Sequence, residues 1–185
     1  FDFSEEVTQL QRRIATLAAW HPELELPPVD TEALLACPEK WLPALAPHTL
    51  NIPSLKKTDL CAAIISLLDY KQLQALDRLV PMRISLPGGR SVKLEYRQGA
   101  EAPVLRVRLQ DCFGLLDTPA VDGGRKKVLM ELLSPGYKPV QLTTDLRSFW
   151  SGTYFEVRAE LRRRYPKHSW PDHPAEEKKG SGKAN

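Results

Sequence analysis

The hydrophobic period of the chain changes at Pro81, and that switch limits the folds open to it. Before Pro81, apolar residues recur at helical spacing: Val7, Leu10, Ile14 and Leu17 form one stripe, with Ser4 placed as a cap and Glu5 and Glu6 in the first turn. A Pro-punctuated stretch, ELELPPVD, leads to Asp30 as a second cap, and Pro38 and Pro43 divide the next segment into short, kinked helices. Ser54 or Thr58 opens a third helical region, TDLCAAIISLLDYKQLQALDRLVP, apolar all round at its front and amphipathic at its back.

After Pro81 the period is two. MRISLPGGRSVKLEYRQG alternates about Pro87, Gly88 and Gly89, as a β-hairpin does. Leu105, Val107 and Leu109 alternate with Arg106, Arg108 and Gln110, which predicts a third strand, or a strand that runs into a short helix at QDCFG. VLMELLSP and KPVQLTT read as two more strands joined by a turn at Pro135 and Gly136. Thr144 or Asp145 then caps a helix, DLRSFW, and a basic helix comes after it.

The expected architecture is α+β: N-terminal helices, a mostly antiparallel sheet of four to five strands, and two C-terminal helices. It divides into a helical subdomain over 1–80, an α+β domain over 81–174 and a disordered tail over 175–185, which lacks apolar periodicity. With 42% hydrophobic residues over 185 positions the chain can bury a core, and a net charge of +3 is too mild to attract a polyanion without local clustering. Cys37, Cys61 and Cys112 are widely separated with no CxxC pair, which fits reduced thiols in the cytoplasm. No apolar stretch approaches the length of a membrane span, and a chain opening at Phe1 within a helical pattern is expected to be part of a longer protein.

Catalytic motifs are sparse. No phosphate loop, GxSxG or HExxH occurs, and His21, His48, His168 and His173 have no ligand spacing on one helix. No metal or catalytic residue is therefore assigned. The loop DGGRKK, with Arg125, Lys126 and Lys127 after Asp122, is a candidate anion site or a solvated connection.

The strongest local signal is Tyr154 to Pro174. Tyr154, Val157 and Leu161 form a helical stripe that leaves Arg158, Arg162 and Arg163 largely on the solvent side, and Pro166 ends the helix. Arg158, Arg162, Arg163, Arg164, Lys167 and His168 stand beside Tyr165 and Trp170, a mixture that can hold phosphates and stack on bases. Two readings are open. The cations touch nucleic acid, or they pair with carboxylates, Arg162 with Glu160, Asp172 or a neighbour, while Tyr165 and Trp170 serve as packing or interface anchors.

These residues also carry a family resemblance. LSPGYKPVQLTTDLRSFW (Leu133 to Trp150), then Tyr154 and EVRAELRRRYPKHSWPDHP (Glu156 to Pro174), resembles the C-terminal region of HrpB-type bacterial DExH-box ATP-dependent RNA helicases, with Lys138 and Arg163 standing where Arg and Gly are usual. RVRLQDCFG (Arg106 to Gly114) and the LPGG hairpin resemble further elements, so the likeness spans roughly 50 to 174. The resemblance implies an accessory domain whose partners are RNA or another nucleic acid and the remaining domains of the helicase, with a docked protein as the alternative partner. It places ATP and Mg²⁺ in a RecA-like core outside this stretch, so that this chain by itself is expected to hold no cofactor and to hydrolyse nothing.

Overall fold

A computed structural model describes residues 4–44 and 60–177, and the chain forms two compact units, Phe1–Val80 with Tyr96–Glu101 and Pro81–Glu95 with Ala102–Asn185. Among the described residues there are six α-helices and seven strands. The class is α+β.

The first unit is built on α1 (Glu5–Trp20), capped by the Ser4 hydroxyl, which accepts from the Val7 N–H. Its stripe of Val7, Leu10, Ile14 and Leu17 is buried. A helix this long is stabilised chiefly by that buried face rather than by propensity. Asp30 caps α2 (Thr31–Ala36), and short 3₁₀ turns come next at Pro38–Lys40 and Leu42–Ala44, as the prolines demand. The expected caps Ser54 and Thr58 lie outside the described residues.

The long helical region before Pro81 is two helices here, α3 (Leu60–Ile65) and α4 (Tyr70–Leu79). Asp69 separates them. Its carboxylate accepts from the Gln72 N–H at 2.8 Å while the Gln72 carboxamide oxygen accepts from the Asp69 N–H at 2.9 Å, a reciprocal capping box. The apolar period runs through this point, so periodicity conceals a break that the Asp-x-x-Gln spacing encodes.

Tyr96–Glu101 leaves the hairpin region and joins the first unit. The Gln9 carboxamide accepts from the Tyr96 N–H at 2.8 Å and donates to the Tyr96 carbonyl at 3.3 Å, so one side chain satisfies both backbone groups as a neighbouring strand would. Trp20 Nε1 donates to the Ala100 carbonyl at 2.9 Å, and Arg13 Nε to the Val80 carbonyl at 2.8 Å. The expected boundary at residue 80 thus misses a short return of the chain.

In the second unit the predicted hairpin forms from β1 (Arg83–Ser85) and β2 (Ser91–Lys93), with Ile84 opposite Val92. The expected single sheet of mostly antiparallel strands is instead three small ladders. The largest has the order β3 (Val104–Arg108), β6 (Leu129–Leu133), β7 (Pro139–Thr143), with β3 and β6 parallel and β6 and β7 antiparallel. A parallel pair needs a crossover. Here the chain makes it through a 3₁₀ turn at Leu109–Cys112 and a two-stranded ladder, β4 (Ala120–Val121) with β5 (Lys126–Lys127). Leu105, Met130 and Leu132 point into the core and are fully buried. On the other face Arg106 joins Glu131 and Glu95.

Asp145 caps α5 (Leu146–Ser151), its carboxylate accepting from the Ser148 N–H at 3.1 Å, and α6 (Thr153–Arg164) completes the pair of C-terminal helices. An aromatic cluster then binds the chain end to the crossover. The Phe113 ring lies 6.1 Å from Trp150, 6.4 Å from Tyr154 and 6.4 Å from Trp170. The Gly114 N–H donates to the Pro174 carbonyl at 2.7 Å. Ordered structure continues into a 3₁₀ turn at Pro174–Glu176, past the expected start of the tail, whose residues from 178 lie outside the described ones.

Two substitutions probe these contacts. Asp69→Ala removes the cap between α3 and α4 and costs about 1 kcal/mol, read as a lower urea midpoint, while Asp69→Asn keeps the acceptor and restores most of it. Gly114 has φ +91°, and a Cβ there would lie 2.7 Å from the Glu177 carbonyl oxygen. Gly114→Ala is therefore expected to destabilise the second unit by about 1–3 kcal/mol and to speed proteolysis of the chain end.

Candidate nucleic-acid interface

The basic helix ends where the sequence requires. Pro166 has no N–H and disfavours helical backbone at the residue before it, and Tyr165 accordingly leaves the helix at φ −129°, ψ 64°. Arg162, Arg163 and Arg164 fill the last turn, where positive side chains meet the negative end of the helix.

The cations of this run divide by environment. Arg158 is turned inward, its side chain 18% exposed, and it forms an ion pair with Asp172 and donates to the Pro171 carbonyl at 3.4 Å. Its guanidinium also lies 5.0 Å from the Phe155 ring centroid and 5.9 Å from that of Tyr154. The expectation that Arg158 faces solvent is thus corrected, because the tail folds back over that side of α6. The hydrogen bond from Arg158, reinforced by its charge, holds the Asp172 carboxyl below the usual carboxylate range.

Arg163 is exposed and forms an ion pair with Glu160 one turn back. The sequence offered Glu160 or Asp172 to Arg162, whereas the structure gives them to Arg163 and Arg158. Arg162, Arg164 and Lys167 are exposed, and among the described residues no carboxylate lies within ion-pair distance of them. His168 is exposed too, its ring 6.3 Å from both Tyr165 and Trp170.

Tyr165 and Trp170 are used within the unit. Trp170 is 5% exposed, packs edge-on against Phe113 and donates from Nε1 to the Tyr165 carbonyl at 3.1 Å. The fully buried Tyr154 hydroxyl donates to the Pro171 carbonyl at 2.7 Å, and burial pushes its phenol up to about 12. The Trp-Pro tail is therefore clamped at Pro171, Asp172 and Pro174.

The second basic cluster stands on a different element. Arg125 reaches back to the buried Asp122 carboxylate, donating from both Nε and Nη2 at 3.3 Å, so it is matched by a carboxylate one turn back. Lys126 and Lys127 are exposed on β5, and Lys127 adds its positive charge to the field at Asp145. Asp145 is also held low, chiefly by hydrogen bonds from Ser148.

A groove of about 350 Å³ lies between β7 and α6, lined by Lys138 on one side and Arg164 on the other. Lys138, which the sequence marks only as standing where Arg is usual, was not among the predicted binding residues; its place beside a glycine-containing turn was a signal for it. Among the described residues, no three potential metal ligands gather in one place, and no helix is long and apolar enough to cross a membrane.

A family model described as "ATP-dependent helicase C-terminal" matches residues 41–174. The chain is 41% identical over 177 residues to the ATP-dependent RNA helicase HrpB of Escherichia coli K12, a match covering 94% of this chain and 21% of that protein. It is also similar to the crystal structure of the E. coli DExH-box NTPase HrpB, with a TM-score of 0.88, 39% identity and coverage of 95% of this chain and 22% of that one. A crystal structure of E. coli DEAH/RHA helicase HrpB matches with a TM-score of 0.74 and 38% identity, covering 90% of this chain and 21% of that one. The chain spans about a fifth of the length of these relatives. With the crossover, the turn before β7 and the clamped basic helix all falling inside the matched region, the chain belongs to the family of HrpB-type ATP-dependent helicase C-terminal domains.

Proposed function

We propose that this C-terminal helicase domain holds RNA for its motor, with Arg162 and Arg164 in the last turn of α6 and Lys167 in the turn after it contacting backbone phosphates. The observation that carries the reading is the sorting of charge. Arg158, Arg163 and Arg125 are each matched by a carboxylate, whereas these three exposed cations have none among the described residues. An unpaired cation at or just past a fixed helix end releases counterions from a polyanion without first breaking an ion pair. RNA is chosen because the E. coli relative is named an ATP-dependent RNA helicase.

In this reading ATP and Mg²⁺ are bound by the motor, and the remaining helicase domains are the other partners. The same structure weighs against Tyr165 and Trp170 as anchors for a separate protein. Trp170 is spent in the core of its own unit, and Tyr165 is half-buried there.

The test is a fluorescence-anisotropy titration of labelled single-stranded RNA with the 185-residue chain across a series of salt concentrations. Replacing Arg162, Arg164 and Lys167 together by Ala is expected to weaken binding and to flatten the plot of log affinity against log salt by about 2 units, near 0.7 for each lost phosphate contact. Parent-chain binding with no salt dependence, or a triple variant with the parent slope, overturns the assignment.

A further inference from the structure

The turn between β6 and β7 carries a tyrosine that packing does not explain. Tyr137 has φ +63°, the left-handed region that a bulky side chain enters only at a cost, yet it is 60% exposed, so burial provides no compensation. The backbone is held in place from below. The Tyr137 N–H donates to the Ser134 carbonyl at 2.9 Å, and the Lys138 N–H to the buried Ser134 hydroxyl at 3.1 Å.

The ring is also oriented. The Arg108 guanidinium carbon lies 5.4 Å from its centroid, and Arg108 is in turn fixed by Asp111 through contacts at 3.0 and 3.5 Å. Asp111 receives Arg90 as well, at 2.8 Å. One face of Tyr137 is therefore backed by an anchored cation, and the exposure of the residue leaves the opposite face to solvent.

This turn adjoins the basic end of α6. A Cβ on Gly136 would come within 2.8 Å of the Tyr165 hydroxyl oxygen, and Lys138 and Arg164 line one groove. Glu156 and Glu160 line it too, and Glu160 is engaged by Arg163 from outside the groove, while Lys138 and Arg164 have no ion-pair partner among the described residues. The floor includes Val140 and Leu161.

From this juxtaposition we infer that Tyr137 is a stacking platform for an unpaired base of single-stranded nucleic acid, with Lys138 and Arg164 taking the phosphates beside it. The inference rests on the RNA reading above and adds a base contact that cations alone do not supply. Every base presents a π-face, so the platform tolerates any sequence. It also selects single strands, because a base within a duplex has both faces covered.

The experiment compares a short labelled oligouridylate with the same oligonucleotide made abasic, using the 185-residue chain. Tyr137→Ala is expected to weaken oligouridylate binding by about 5- to 150-fold with an unchanged salt slope, the range of one lost stacking contact. Tyr137→Trp keeps the affinity. On the abasic oligonucleotide the parent chain and Tyr137→Ala bind alike. Tyr137→Gly relaxes the left-handed backbone while removing the ring, and must lose as much as Tyr137→Ala, with thermal unfolding at or above the parent's excluding a folding defect. Equal oligouridylate binding by the parent chain and Tyr137→Ala overturns the platform and leaves the phosphate contacts of α6 standing, as does an equal loss on both oligonucleotides. A parent chain that binds neither oligonucleotide overturns both readings.

Discussion

The contact between the Phe113–Gly114 corner and the chain end is what the rest of the second unit depends on. Phe113 touches three aromatic rings that come from α5, α6 and the tail, and the next residue's N–H binds the Pro174 carbonyl. Gly114 and Pro174 lie far apart in sequence, so closing the contact fixes the path of everything between them. Burial of large rings supplies the driving force, and edge-to-face geometry adds a directional component. Once Trp170 and Pro174 are docked, Arg158 must turn toward Asp172, and the end of α6 is fixed on two sides. The orientation of Arg162, Arg164 and Lys167 is set by that closure rather than by any property of the helix itself.

Charge counting alone reads the basic run poorly. Its six cations look equivalent in sequence, yet their surroundings differ by what folds against them. Arg158 acts as a structural strut, its guanidinium lying over the Tyr154 and Phe155 rings and binding the tail at Asp172. Arg163 forms an exposed i, i+3 pair of the kind that contributes little stability. The cations left over are grouped at one helix end, beside the turn that carries Tyr137. A ligand reaching them meets a preformed surface, which lowers the ordering cost of binding.

The elements themselves were legible in the sequence. Ser4, Asp30 and Asp145 all cap helices as their spacing implies, and both strands of the LPGG hairpin lie where alternation put them. What alternation cannot encode is which strand lies next to which, or in what direction. The parallel pairing of β3 with β6 arises from the crossover through Leu109–Cys112 and the β4–β5 ladder, whose two-residue strands are too short to show a period. The return of Tyr96–Glu101 to the first unit depends on one glutamine side chain, and no local pattern marks Gln9 as different from any other helical glutamine. At the candidate interface, residue types were readable but their pairing was not, since the choice between Arg158 and Arg162 for Asp172 is made by the path of the tail after Pro166.

Tyr137 shows the limit from the other direction. In sequence it is one turn residue between Gly136 and Lys138, with nothing to separate it from a solvated loop. Its interest comes from three facts that only coordinates join: a left-handed backbone, a large exposed ring, and a guanidinium set behind it by Asp111. Each has a bland origin when taken singly. Together they describe a ring held rigidly out of the core, with its orientation maintained by groups that are themselves fixed. Glycine or asparagine would meet the backbone requirement of this turn with less strain, so a tyrosine here needs a reason in what its free face can touch.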